Sequence, residues 1–270
     1  TSSITSVKAA IQVARGLEYL HARNLSHQDL KPENVLVFPG PVFKLADFGL
    51  CLSHGEGEES NFGRSSSIGG TRRYMAPEQM FQWASRKFGS IFSCIFDSIF
   101  EAEVREACGE EAARAFELLS DHKAAVAGAC DMWAFGLLLL ELMSEATGGF
   151  VRDFHRKFQG SYEVDELAAL VVVLPSMATD MMERTTAMLS EVTAGSSEKG
   201  ALGTIAAVVD RCLAADPTNR PSASEAEREL QRAHAMLDPR RRKFGKILST
   251  GHQNPDFDMG PREIGLFSLY

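Results

Sequence analysis

Four polar residues have types and spacings suited to moving a phosphoryl group. Asp29 is followed two residues later by Lys31 and five later by Asn34, inside the run HQDLKPENVLV at 27–37. A second aspartate, Asp47, stands 18 positions after the first, inside Asp-Phe-Gly. Phosphoryl transfer needs a carboxylate that takes or orients a hydroxyl proton, a cation beside the transferred charge, and oxygen donors for a hard divalent ion. Taken singly, the residues have plainer explanations: Asp29 as a turn aspartate, Asn34 as a cap at the edge of a helix or strand. The joint spacing, with Ala-Pro-Glu at 76–78, favours the chemical reading.

The elements that must position these groups follow from hydrophobic periodicity. Ile4, Val7, Ile11, Ala14, Leu17 and Leu20 recur at helical spacing, which predicts an amphipathic helix over 4–20 with Asn24 as its stop. A polar loop covers 26–34. Val35–Phe38 and Val42–Ala46 read as two short strands around Pro39-Gly40-Pro41, so Asp29 and Asp47 sit on loops flanking a small hairpin. Residues 53–70 are rich in Ser, Gly and Glu and lack periodicity, as a loop does. The stretch 131–146 is apolar almost all round and predicts a buried central helix. Residues 164–193 read as mainly helical with a break near Pro175, 194–200 as a polar linker, and Ile205–Ala215 as a short helix stopped by Asp216-Pro217. Ser222-Ala-Ser-Glu225 is a capping-box sequence that opens a helix to about Leu237. After Pro239 the chain turns basic, then rich in Gly and Pro, and 239–270 reads as an irregular tail.

Composition sets wider bounds. The 270 residues are 24% charged and 44% hydrophobic, as in a globular domain with ample length for a core. A net charge of −8 argues against nucleic acid as a partner. Five cysteines without a CxxC pair argue against a disulfide framework or a zinc site and favour a reducing, intracellular compartment. The longest apolar run, Ala134–Leu140, is too short to span a bilayer. Thr rather than Met at position 1 implies a piece of a longer protein.

The catalytic-type loop, Asp-Phe-Gly and Ala-Pro-Glu together resemble the large, C-terminal lobe of the eukaryotic protein kinase fold, over roughly residues 4–237. The resemblance implies a mainly α fold of the α+β kinase type, with small β-hairpins around the catalytic loop and the small lobe absent. Its domain would fill 1–238, with a helical insert within 81–130, and the tail would follow. ATP and Mg²⁺ are the implied cofactors, and a protein Ser/Thr hydroxyl the implied acceptor. Asp29 would be the base and Lys31 the charge stabiliser near the γ-phosphate. Lys31, Asn34 and Asp47 would bind the nucleotide and its metal, with Asn34 and Asp47 as Mg²⁺ ligands. His27, Phe48 and Gly49 would shape the site. Phe48 is expected to pack under the metal-binding turn, and Gly49 to adopt a backbone that a Cβ would oppose. Thr71, seven residues before Glu78, is expected to hydrogen-bond near Asp29. Glu78 is expected to pair with Arg220, and Asp131 to hold the catalytic-loop backbone beside Trp133. Lys31 goes with serine/threonine kinases, and GTRRYMAPE resembles their tyrosine-kinase-like group.

Three features depart from the family pattern. Gln28 stands where most members have an arginine that pairs with a phosphorylated loop, so activity is expected to depend less on phosphorylation. The 52 residues between Glu78 and Asp131 exceed the usual short connection. There, Phe88, Ile91, Phe92, Ile95, Phe96, Ile99 and Phe100 form a helical stripe; Phe92 and Phe96 are expected to be buried, in a helical hairpin over about 87–119. Three readings of this insert stay open: packing against the lobe, a partner-docking element over 84–127, or an error of the gene model. Finally, nothing before His27 forms a G-x-G-x-x-G loop, and Val7-Lys8-Ala9 sits in a helix rather than a strand. A pseudokinase scaffold and a truncated product without activity of its own therefore stay open beside the enzyme. Residues 1–270 alone are expected to turn ATP over more slowly than about 1 s⁻¹, the low end for kinases; a purified chain that matches that rate overturns the expectation.

Overall fold

The computed structural model describes residues 3–40, 42–54, 71, 74–76, 78–79, 128–143, 199–214 and 216–237. The chain divides into two units, Thr1–Leu237 and Asp238–Tyr270, and every described residue lies in the first. The expected insert with Phe92 and Phe96, the helices over 164–193 and the tail lie outside the described residues.

Helix α1 (Ser3–His21) buries Val7, Ala10, Ala14 and Leu17, one face at the i, i+3, i+4 spacing of its sequence. It ends where Asn24 takes a left-handed φ of 54° and donates its N–H to the His21 carbonyl. Helix α2 (Ala129–Leu142) is buried on nearly every side, with Phe135 and Leu137–Leu140 almost fully enclosed. Helix α3 (Lys199–Cys212) packs against α2, and helix α4 (Ala223–Leu237) packs against both α1 and α3. These four helices share one core, to which Leu30, Tyr74 and Ala76 of the loops contribute. Helix α4 opens on a reciprocal box: the Ser222 N–H donates to Glu225 Oε2 at 2.8 Å and the Glu225 N–H donates to Ser222 Oγ at 3.3 Å.

Two small antiparallel pairs sit beside this core. Strands β2 (Val35–Phe38) and β3 (Val42–Leu45) form a hairpin with Val35 opposite Leu45 and Phe38 opposite Val42. The hairpin lies on α1, where Gln12 Oε1 accepts the Phe43 N–H at 3.0 Å. Strands β1 (Leu25–Ser26) and β4 (Leu52–Ser53) pair across the loops that carry the polar residues.

Several expected boundaries shift, for identifiable reasons. Ala46 falls just outside β3, although its N–H still donates at 2.9 Å to the carbonyl of Asn34, the residue next in register. Helix α2 begins two residues before Asp131, so Ala129 and Cys130 belong to it and not to the insert. Helix α3 begins at Lys199, inside the stretch expected to be a linker. Gly200 and Gly203 weaken its local signal, but burial of Ala201, Leu202 and Ile205 compensates. Strands β1 and β4 are two residues each, too short to leave a periodic signature.

Candidate active site

The described loops converge on the Asp29 carboxylate. Lys31 Nζ donates to Asp29 Oδ2 at 2.7 Å, and Asn34 Nδ2 donates to the same oxygen at 3.1 Å and to the Asp29 carbonyl at 2.8 Å. The Thr71 N–H donates to Asp29 Oδ1 at 2.7 Å, while Lys31 Nζ also donates to Thr71 Oγ1 at 2.8 Å. Residues 29, 31 and 34 meet because the loop ends in a 3₁₀ turn at Pro32–Asn34, with Pro32 supplying a preset φ at its start. Thr71 is brought there from 42 residues away.

Burial alone disfavours the charged form of Asp29. The hydrogen bonds from Lys31 and Thr71, with the Lys31 charge, outweigh it and hold the carboxyl below its ordinary value of 3.8. A depressed carboxyl contributes stability that is full above its unfolded pKa and is lost as pH falls through the lower, folded value. A carboxyl-carbon NMR titration should therefore place the Asp29 midpoint below 3.8. A midpoint at or above that value means the three donors do not act as drawn.

Asp47 approaches through the hairpin. The Ala46 N–H is tied to the Asn34 carbonyl, and the Ala46 carbonyl lies 3.0 Å from His27 Nε2. A carbonyl can only accept, so His27 Nε2 carries the ring proton and Nδ1 is left facing the Asp29 N–H at 3.4 Å. Asp47 itself has φ 62° and an exposed side chain. Here two expectations are corrected. The left-handed residue is Asp47, not Gly49, where a Cβ would make only an ordinary contact with Asp47 Oδ1 at 3.4 Å. Phe48 is not packed under the turn. Its side chain is 51% exposed, with its ring tilted against His27 at 5.5 Å, because the left-handed turn at Asp47 re-aims the chain that follows.

Asp131 supports the loop from below. Its Oδ2 accepts the His27 N–H at 2.7 Å and its Oδ1 the Gln28 N–H at 2.8 Å. Gln28 has φ 68°, and this left-handed turn aims two successive N–H groups at one carboxylate. His21 Nε2, at the end of α1, completes the shell 2.9 Å from Asp131 Oδ2. Gly128, with φ 85°, precedes α2 at the one place where a Cβ would meet the His21 ring at 2.5 Å. Trp133 is buried one turn on, and the Arg220 guanidinium lies 5.2 Å from its ring centre.

Arg220 joins the end of the Ala-Pro-Glu segment to the helices. It makes a two-pronged ion pair with Glu78, with Nη2 donating to Oε2 at 2.8 Å and Nη1 donating to Oε1. It also donates to the carbonyls of Ala129 at 3.0 Å and Ala214 at 2.9 Å. Four residues of this constellation carry no signal in the sequence. His21 looks like an ordinary helix end, and Ser26, His54 and Gln79 look like loop polar groups. Ser26 Oγ lies 2.8 Å from His54 Nε2, and the Gln79 side chain accepts the Ala76 N–H at 2.9 Å. Burial, with Asp131 and Asp47 nearby, pushes the Cys51 thiol up to about 11, which disfavours the thiolate.

The oxygen donors suit a hard divalent ion. Asn34 spends its amide nitrogen on Asp29, which leaves its amide oxygen for a cation, and Asp47 offers an exposed carboxylate. Among the described residues no cluster of three His, Cys, Asp or Glu side chains forms a metal cage. No described helix is long and apolar enough to cross a membrane.

The family described as Protein kinase domain matches residues 2–94. The mitogen-activated protein kinase spm1 of Schizosaccharomyces pombe is 42% identical over 74 residues, 27% of this chain and 18% of that protein. The probable serine/threonine-protein kinase C70.05c of the same yeast is 40% identical over 70 residues, 25% of this chain and 9% of its own length. Cyclin-dependent kinase F-4 of Oryza sativa is 30% identical over 165 residues, 61% of this chain and 24% of the relative. The chain thus spans less than a quarter of the length of each of these relatives. The chain is thus similar to protein kinases over residues 2–94, the segment that carries Asp29, Lys31, Asn34 and Asp47.

Proposed function

We propose that this chain is the large lobe of a serine/threonine protein kinase that transfers the γ-phosphoryl group of ATP to a protein hydroxyl. The observation that carries the reading is the convergence of Lys31, Asn34 and Thr71 on the Asp29 carboxylate. Asp29 is held ionised, so it can accept a hydrogen bond from a substrate hydroxyl. Its lowered pKa makes it a weak proton acceptor, whereas a strong general base would be poised near neutral pH. Asp29 therefore orients the hydroxyl and takes its proton late, which suits a loose transition state in which the nucleophile attacks before it is fully deprotonated. Lys31, already in place between Asp29 and Thr71, supplies a cation for the charge on the transferred group. Asn34 and Asp47 would hold Mg²⁺, which neutralises phosphate charge when bound.

The test uses a form of the protein that also carries a glycine-rich nucleotide loop. It should phosphorylate Ser or Thr in a protein acceptor, and EDTA should stop the transfer. Asp47→Asn should abolish Mg²⁺-dependent activity, because it removes the carboxylate charge while nearly preserving shape. Wild-type rates in Asp47→Asn remove Asp47 from the metal site; no transfer by the wild-type protein under any Mg²⁺ concentration overturns the enzymatic reading.

A further inference from the structure

Gln28 lies between the loop of Asp29 and the end of the Ala-Pro-Glu segment, and its side chain is fully wired. The orientation of every amide in the network follows from one backbone donor. The Ala76 N–H can only donate, so Gln79 turns its Oε1 to it at 2.9 Å. Gln79 Nε2 must then face Gln28, where it donates to Oε1 at 3.0 Å and reaches the Gln28 carbonyl at 3.5 Å. Gln28 Nε2 in turn donates to Ser26 Oγ at 2.6 Å and to Cys130 Sγ at 2.9 Å. Both protons of each amide are used, and the network joins strand β1, the catalytic loop, the start of α2 and the 76–79 segment. Gln79 and Cys130 are buried, and Gln28 is half-buried, so the links are shielded from water.

We propose that the Gln28–Gln79 pair is a neutral latch that positions the segment carrying Thr71 and Glu78 against Asp29 without a phosphate group. The proposal rests on the phosphoryl-transfer reading of Asp29 and deepens it by naming how the site is kept assembled. Gln28 is a positioning residue: it touches no reacting atom, but its backbone N–H is on Asp131 and its side chain is on Gln79. An arginine at position 28 would find no acceptor in the Gln79 amide nitrogen that now faces it. The amide pair thus excludes the charged alternative while doing its tethering.

Hydrogen exchange of the folded chain tests the latch without ATP. The reporters are the Ala76 amide, on Gln79, and the Thr71 amide, on Asp29. Gln28→Ala should speed exchange at both by about tenfold or more, although it removes no bond that either amide makes. Gln28→Ala combined with Gln79→Ala should lose no more Thr71 protection than the worse single variant, since the two act through one link. Gln28→Arg alone should stay deprotected. Paired with Gln79→Glu, it should return both amides to within about threefold of wild type, because a carboxylate can take the guanidinium on one oxygen and the Ala76 N–H on the other. Unchanged Thr71 exchange in Gln28→Ala overturns the proposal. So does a paired variant no better protected than Gln28→Arg alone, and this second comparison decides even where Gln28→Ala fails to fold. A protein that transfers phosphate but ignores Gln28 sinks the latch alone. One that shows the exchange pattern but never transfers phosphate sinks the enzymatic reading and leaves the tether.

Discussion

Asp29→Asn should lower kcat by about 10²- to 10⁴-fold in a form of the protein able to bind ATP, the range expected when a positioned proton acceptor is lost. Asparagine keeps the shape and one acceptor oxygen, so the Thr71 N–H at Oδ1 can still be satisfied. It places an NH₂ where Lys31 Nζ and Asn34 Nδ2 now both donate to Oδ2. Two donors then face a third, and Lys31 swings away from its place beside Thr71. Asp29 itself has no proposed contact with the nucleotide, so the KM for ATP should move less than kcat. Steady-state kinetics with varied ATP separates the two. Equal loss of kcat and of ATP binding would mean that the substitution unfolded the loop, and an unchanged kcat would remove Asp29 from the reaction.

The second large effect is on stability. Glu78→Ala removes the two-pronged carboxylate partner of the Arg220 guanidinium, whose side chain has no exposed surface, and should cost about 3–5 kcal/mol. Bonds to the carbonyls of Ala129 and Ala214 satisfy donors but do not replace the lost carboxylate charge. Replacing both partners, Glu78→Leu with Arg220→Met, should be milder than the single change, because no buried charge is left over. It should not be neutral, since both carbonyls lose their donor. Urea unfolding followed by tryptophan fluorescence suits the measurement, because Trp133 lies against Arg220. A loss below about 1 kcal/mol in Glu78→Ala would class the pair with surface salt bridges and deny it a structural role.

Much of the site was legible because its chemistry is local. Asp29, Lys31 and Asn34 lie within one loop and one 3₁₀ turn, and the hairpin that returns Asp47 is marked by two strand patterns around Pro39-Gly40. Helix α1 and the capped start of α4 were equally plain, since their signals are a repeated apolar face and a Ser-x-x-Glu pair. The pairing of Glu78 with Arg220 was expected only from family resemblance, as nothing in either segment points to the other.

Left to itself, the sequence determined which groups could do chemistry, because hydrogen-bonding type and short spacing are local properties. Tertiary structure alone decided what holds them. Asp131 reaches the loop across 104 residues and Arg220 reaches Glu78 across 142, and such contacts depend on how the chain closes rather than on neighbouring residues. The same is true of Gln79 on Gln28, and of His21 on Asp131. Backbone conformation was likewise a tertiary outcome: glycine at 49 was the natural candidate for a left-handed φ, yet Asp47 takes it. The anchoring of Ala46 by Asn34 and His27 fixes the chain just before Asp47, and an aspartate tolerates that conformation well enough for those bonds to prevail.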